Sequence, residues 1–126
     1  EAAAGQGNRQ AMHDLGIAYA EGMGTQKDFD ESARWFEKAA AMGLTNSQFN
    51  LAVLYERGEG VKADLAQAYK WYAIAAANGD SESQARRDAI ATQLGADALA
   101  RAKDQAASFK PETLDPGANA ITLPGA

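Results

Sequence analysis

Apolar residues recur three and four positions apart in two stretches of the chain. This is the spacing of one face of an amphipathic α-helix. The two stretches contain the triplets Leu15, Ala18, Tyr19 and Leu51, Leu54, Tyr55. The pattern therefore predicts two similar helices, and each of them is called helix A below.

Each helix A is followed by two glycines and then by the start signals of a second helix, helix B. The glycine pairs are Gly22/Gly24 and Gly58/Gly60, which suit a helix end and a turn. Asp28 and Asp64 follow as predicted N-caps, with Glu31 and Gln67 three residues later completing a capping box. The apolar faces predicted for the two B helices are Ala33, Phe36, Ala40 and Ala68, Trp71, Tyr72, Ala75, Ala76.

A shift of 36 residues superposes the two helix pairs. The identical positions include Gly7/Gly43, Leu15/Leu51, Tyr19/Tyr55, Gly22/Gly58, Gly24/Gly60, Asp28/Asp64 and Trp35/Trp71, and the alanines at 39–41 and 75–77. Repeats of this length bury a continuous core by stacking on their neighbours. We therefore predict an all-α fold, an α-α superhelix of antiparallel helix pairs, with repeats at 7–42 and 43–78.

The third unit is irregular. Ala91 and Leu94 stand where a tyrosine and the first turn glycine are required, and no tryptophan follows. Terminal repeats of such arrays are atypical, so we predict a C-terminal cap over 79–109, with helices at 81–93 and 97–109.

The two ends of the chain differ from the repeats. Residues 3–7 resemble 39–43, so we expect the chain to begin in the last turn of an earlier helix and further repeats to precede it. Prolines at 111, 116 and 124 argue against helix beyond Lys110. We predict a repeat domain over 1–109 and a tail or linker over 110–126.

Composition narrows the possible functions. The 126 residues include 12 Lys+Arg and 17 Asp+Glu, a net charge of −5, and 46% are hydrophobic. An acidic chain without a basic block disfavours nucleic acid as a partner. With no cysteine and one histidine, thiolate sites and imidazole clusters are excluded. We therefore predict no cofactor and no metal. The apolar stretches fall far short of the roughly 20 residues that span a bilayer, so we also predict no membrane insertion.

The sequence contains none of the catalytic motifs Ser-x-x-Lys, Gly-x-Ser-x-Gly and His-Glu-x-x-His. We therefore predict that the protein is not an enzyme.

Asp28, Asp30 and Ser32 have the 1, 3, 5 spacing of a calcium loop. Ala33 and Ala39 occupy its positions 6 and 12, where Gly and Glu are required. Helix capping explains these residues better than calcium binding does.

The segment from Leu15 to Gly43 reads Leu-Gly-x-x-Tyr-x-x-Gly-x-Gly-x-x-x-Asp and then Ala-x-Trp-Phe-x-Lys-Ala-Ala-x-x-Gly. It resembles the Sel1-like repeat family, relatives of the tetratricopeptide repeats, and the likeness covers about residues 7 to 93. Residues 50–58, 69–80 and 99–102 are similar to the end repeats of alphaproteobacterial polar organelle development localisation factors. That likeness implies a periplasmic location and a longer, membrane-anchored chain.

In the related tetratricopeptide repeats, a defined subset of helix A residues lines a concave groove. The resemblance carries this subset onto Gln10, His13, Ile17, Ala20, Glu21; Asn46, Phe49, Val53, Glu56, Arg57; and, in the cap, Glu82, Ala85, Ala89. One aromatic, two β-branched residues and charges of both signs suit an extended peptide or a partner helix. The alternative is that His13 and Phe49 are buried between helices.

The resemblance implies a non-catalytic interaction module, a scaffold or localisation factor, that binds a partner protein or peptide through the concave surface. Two alternatives are a module that binds peptidoglycan or its stem peptides and a passive spacer. A cytoplasmic location is the alternative to the periplasm.

Overall fold

The computed structural model describes residues 2–22 and 28–111, with side chains from residue 9 onward. These residues form six α-helices: α1 Ala2–Glu21, α2 Phe29–Ala41, α3 Thr45–Arg57, α4 Leu65–Ala77, α5 Ser81–Ala91 and α6 Ala96–Ala107. The all-α prediction is confirmed. No helix in this part of the chain combines the length and the apolar character that crossing a bilayer requires.

The helices pack in pairs, and each pair contacts the next. α1 packs on α2 and α3 on α4, while α2 contacts α3 and α4 contacts α5. This alternation produces the superhelix of stacked helix pairs that the 36-residue period predicts. In the cap, α5 and α6 begin and end within two residues of the predicted helices, and α6 packs against α4.

The predicted N-caps are confirmed, but the capping box forms only in part. The Asp28 carboxylate accepts from the Glu31 N–H at 3.1 Å, and Asp64 accepts from the Gln67 N–H at 3.1 Å. The backbone N–H groups of the two aspartates donate to the carbonyls of Tyr19 and Tyr55, both at 2.9 Å. In a complete capping box, the side chain of Glu31 or Gln67 would accept from the backbone N–H of the N-cap aspartate. Because that N–H already donates to a tyrosine carbonyl, the second half of the box does not form. The same backbone bond closes both A–B loops.

One prediction at the start of the chain is wrong. Helix α1 continues through Gly7 without the turn that the likeness of residues 3–7 to 39–43 predicts. At the α2–α3 turn, Leu44 is the N-cap and packs against the buried cluster that contains Trp35 and Met42. The aligned position holds Asn8, which has no apolar side chain to fix the chain in a turn.

The buried residues form one continuous core and a smaller cluster at the first helix pair. The core comprises Ala33, Phe36, Ala40, Leu51, Ala52, Leu54, Ala68, Tyr69, Trp71, Tyr72, Ile74, Ile90 and Ala102. The smaller cluster contains Met12, Trp35, Ala39 and Met42. Most residues of the predicted helix B faces are buried. The B helices therefore form the rigid core against which the A helices pack.

The end of the described chain packs back on the repeats. The Phe109 ring meets the Trp71 ring edge-on, with centroids 5.5 Å apart. Pro111 lies close to Gly43, beside the Arg9 side chain that donates to the Met42 carbonyl at 3.0 Å. The predicted tail beyond Pro111 lies outside the described residues, as does Gly24.

Candidate functional site

The candidate site is the side of α1, α3 and α5 that carries the predicted groove residues, called the helix A surface below. Side-chain contacts join neighbouring A helices on this side. His13 on α1 meets Ser47 on α3, and Phe49 and Glu56 on α3 meet Arg86 on α5. The first of these contacts is buried, whereas the contacts of Arg86 lie at the surface, where a ligand could meet α3 and α5 together.

The predicted residues differ widely in exposure. Gln10, Glu21, Asn46 and Arg57 are exposed, and so are the cap residues Glu82, Ala85 and Ala89. Ile17, Ala20, Phe49, Val53 and Glu56 are half-buried. A partner can reach all of these residues, and the half-buried apolar ones offer contact area on a rigid support.

His13 differs from the others because it is buried, with 9% of its surface exposed. Its Nδ1 shares a 2.7 Å hydrogen bond with the Ser47 hydroxyl, and its ring lies 5.4 Å from that of Phe36. Burial lowers the pKa of His13 below its usual value of 6.5, and the charge of Asp14 opposes this effect. In this position His13 joins α1 to α3 and offers little surface to a partner.

Phe49 packs partly against the core and partly against polar groups. Its ring meets that of Tyr72 edge-on, with centroids 5.7 Å apart. The guanidinium carbon of Arg86 lies 5.4 Å from the Phe49 ring centroid, within cation–π range. The Phe49 ring therefore lies between a buried aromatic and a half-exposed cation.

Charged groups surround this ring. Arg86 lies 3.3 Å from Glu82 and 3.9 Å from Glu56. The Tyr72 hydroxyl donates to Glu56 at 2.8 Å. Burial and that hydrogen bond raise the pKa of Tyr72, and the neighbouring Arg86 opposes them, so the hydroxyl stays protonated and remains a donor. These five residues are called the Arg86 cluster below: Phe49, Glu56, Tyr72, Glu82 and Arg86.

Sequence reasoning missed two members of this cluster. The ring of Tyr72 lies in the core, as its position on the predicted helix B face indicates, but its hydroxyl reaches the helix A surface. Arg86 is one residue beyond the predicted groove position Ala85. The i, i+4 spacing of Glu82 and Arg86 is the signal that would have drawn attention to it.

Metal binding finds no support in the described residues. Across residues 9–22 and 28–111, no group of three or more His, Asp or Glu side chains is placed to hold an ion. The aspartates of the apparent calcium spacing serve the start of α2 instead, where Asp28 is the N-cap. What the helix A surface offers chemically is a set of apolar, cationic and anionic contacts.

Two solved structures are similar to this chain. One is c5321, a protective antigen of uropathogenic Escherichia coli strains with an SLR fold, at 31% identity and a TM-score of 0.76. The other is a Sel1 repeat protein from Oxalobacter formigenes, at 39% identity and a TM-score of 0.62. The matches cover 80% and 64% of this chain, which spans 22% and 60% of the two proteins. Among curated protein sequences, none matches significantly.

The Sel1 repeat model matches residues 9–44 and 45–80, two adjacent segments of 36 residues. This length equals the period found in the sequence, and the segments together cover more than half of the chain. The chain therefore belongs to the Sel1 repeat family.

Proposed function

We propose that this Sel1 repeat module is a non-catalytic scaffold that binds an extended segment of a partner protein along its helix A surface. Sel1 repeat proteins are generally non-catalytic and typically serve in protein interactions. The proposal rests on one observation above all. Phe49 and Val53 form a half-buried apolar strip on α3, flanked by the exposed Asn46 and Arg57.

This arrangement has the anatomy of a small binding surface. Apolar and aromatic anchors in the middle and polar groups at the rim are common in protein interfaces. Helix α3 packs against both α2 and α4, so the strip is held in place before a partner arrives. Less conformational entropy is then lost on association.

For the location we propose the bacterial periplasm and a role in polar localisation. The support is the likeness of residues 50–58 and 69–80 to the end repeats of polar organelle development localisation factors. The two similar structures come from bacterial proteins. In this proposal the module is part of a longer, membrane-anchored chain, and its partner is a protein of the same compartment.

Site-specific photo-cross-linking tests the proposal. A cross-linker at position 46 lies on the helix A surface and leaves Arg57 in place, and one at position 103 is exposed on α6 in the cap. We expect position 46 to capture one partner from a periplasmic extract, in proportion to its concentration, and position 103 to capture none. Equal capture at both positions would contradict the proposed surface. Capture of peptidoglycan fragments alone would favour the cell-wall alternative.

A further inference from the structure

The Arg86 cluster has the chemistry of an arginine site that is already filled. The Arg86 guanidinium lies over the Phe49 ring at 5.4 Å and between the carboxylates of Glu56 and Glu82. An aromatic face with flanking carboxylates is the environment that a planar guanidinium favours. We propose that a basic segment of the protein partner inserts an arginine here and displaces Arg86. This inference rests on the proposed function and specifies the chemistry of the partner.

Arg86 is held loosely enough to be displaced. Its side chain is 38% exposed, and its closest approach to Glu56 is 3.9 Å. Its contacts with Glu82 are both 3.3 Å long, and the Glu82 side chain is 61% exposed. Exposed ion pairs of this kind contribute little to stability. Rotation of the Arg86 side chain into solvent would free the site without moving α5.

Phe49, Tyr72 and Glu56 are fixed more firmly than Arg86. Tyr72 is fully buried, and its hydroxyl holds Glu56 at 2.8 Å. Its ring packs against that of Phe49, with centroids 5.7 Å apart. Once Arg86 leaves, the aromatic face and the Glu56 carboxylate would therefore keep their positions for an incoming guanidinium.

Charge favours a basic partner over an acidic one. Without Arg86, the cluster presents the two carboxylates of Glu56 and Glu82 and no cation. The nearby Arg57 already lies 3.9 Å from Glu59, and the whole chain carries a net charge of −5. An acidic side chain entering the site would be repelled by both carboxylates, whereas an arginine replaces the charge that Arg86 removes.

The proposal predicts that Arg86 competes with the ligand. A tethered group acts at a high effective concentration. If Arg86 occupies the site in about nine of ten molecules, removing it should raise the apparent affinity for an arginine ligand about tenfold.

The probe is the tripeptide amide acetyl-Gly-Arg-Gly, with a citrulline version as the uncharged control of the same shape. Its binding is measured by NMR titration of the Phe49 and Tyr72 ring signals. We expect Arg86→Ala to bind the arginine peptide about tenfold more tightly than the wild type and to discriminate against citrulline. Adding Glu56→Gln to that variant should remove the gain. Arg86→Gln provides a second variant that keeps more of the side chain.

Arg87→Ala is the matched control, because Arg87 is the next residue on α5 and pairs with Asp88 at 3.0 Å. It should bind the peptide as the wild type does. Equal affinities of the wild type and both Arg86 variants, or equal binding of arginine and citrulline peptides, would overturn the arginine site. If the partner still cross-links at position 46, the proposed function would then stand. A gain in Arg86→Ala with no cross-link at position 46 would support the arginine site and overturn the proposed groove.

Discussion

A Cβ atom on Gly60 would overlap the backbone carbonyl oxygen of Phe29. Gly60 lies in the loop between α3 and α4, and Phe29 is the first residue of α2. The loop of the second repeat therefore rests directly on the backbone of the first. This contact joins consecutive repeats at the edge where the second helices begin.

Gly60→Ala should destabilise the protein strongly for two reasons. The residue has a φ of +76°, which costs an L-residue roughly 1–2 kcal/mol. The clash with Phe29 adds to this, because a backbone carbonyl cannot rotate away as a side chain can. We expect a total loss of more than about 2 kcal/mol in the free energy of unfolding, measured by urea denaturation.

Two other glycines separate these causes. Gly79 has a φ of +100°, but a Cβ there would meet nothing within 4 Å, so Gly79→Ala should cost only the backbone strain of about 1–2 kcal/mol. Gly95 is the N-cap of α6 with a φ of −68°, and Gly95→Ser should be nearly neutral. Equal losses at Gly60 and Gly79 would show that the contact with Phe29 is unimportant.

Trp71 is the second stability test. The residue is buried, with 6% exposed, and the Phe109 ring packs against it with centroids 5.5 Å apart. Trp71→Ala should lower the free energy of unfolding by about 3–5 kcal/mol. Lys62→Ala, at an exposed loop position, should change it by less than about 0.5 kcal/mol. If thermal and urea denaturation show that Trp71→Ala and Lys62→Ala both have small and equal effects on stability, the burial of Trp71 is contradicted.

Local features of the fold were predictable from the sequence, and contacts between repeats were not. Asp28 and Asp64 were recognisable as N-caps because a cap depends on the three residues that follow it. The contacts of Arg86 with Phe49 and of His13 with Ser47 depend on how one helix pair is rotated against the next. Residue spacing does not encode that rotation, so only some of the residues that form the candidate site could be predicted from the sequence. That the site binds a partner remains a prediction.

His13 should make stability depend on pH. Burial lowers its pKa in the folded chain below the value of 6.5 that it has when unfolded. As the pH falls below about 6.5, the unfolded chain takes up a proton that the folded chain binds only at lower pH, so folding becomes less favourable. The stability contributed by neutral His13 is therefore present above this range and is lost on acidification.

His13→Gln provides the comparison, because His13 is the only histidine in the sequence. Between pH 7.5 and pH 5.5, the wild type should lose more free energy of unfolding than the variant, by up to about 1 kcal/mol. Urea denaturation at both pH values measures this difference. Parallel losses in the two proteins would mean that His13 titrates normally in the folded state.

Partner binding should depend on Arg57 and Phe49. The variants Arg57→Glu and Phe49→Ala should differ in how much they lower the stability of the fold. Arg57 is exposed in the last turn of α3, so Arg57→Glu should change stability by no more than about 1 kcal/mol. Phe49 is half-buried against Tyr72, and Phe49→Ala should cost about 1–2 kcal/mol, less than a fully buried phenylalanine.

Both variants should weaken binding of the cross-linked partner at least tenfold while far-UV circular dichroism stays helical. Phe49→Ala removes the apolar anchor, and Arg57→Glu removes a rim cation that we expect to pair with an acidic side chain of the partner outside the arginine site. Lys103→Glu, on the exposed side of α6, is the charge-reversal control and should bind normally. Normal binding by both Arg57→Glu and Phe49→Ala would direct attention to the second helices or to the tail.

The last prediction concerns the end of the chain. Phe109 packs on Trp71, and Pro111 lies against Gly43, so the described chain is fixed to the repeats up to residue 111. Phe109→Ala should lower the melting temperature by several degrees, because about 1 kcal/mol corresponds to roughly 4–8 °C in a domain of this size class. Deletion of residues 116–126, a stretch rich in Pro and Gly that lies outside the described residues, should leave it nearly unchanged. A large drop on that deletion would show that Ile121 and Leu123 contribute to the core, and the domain would then extend beyond its predicted boundary at residue 109.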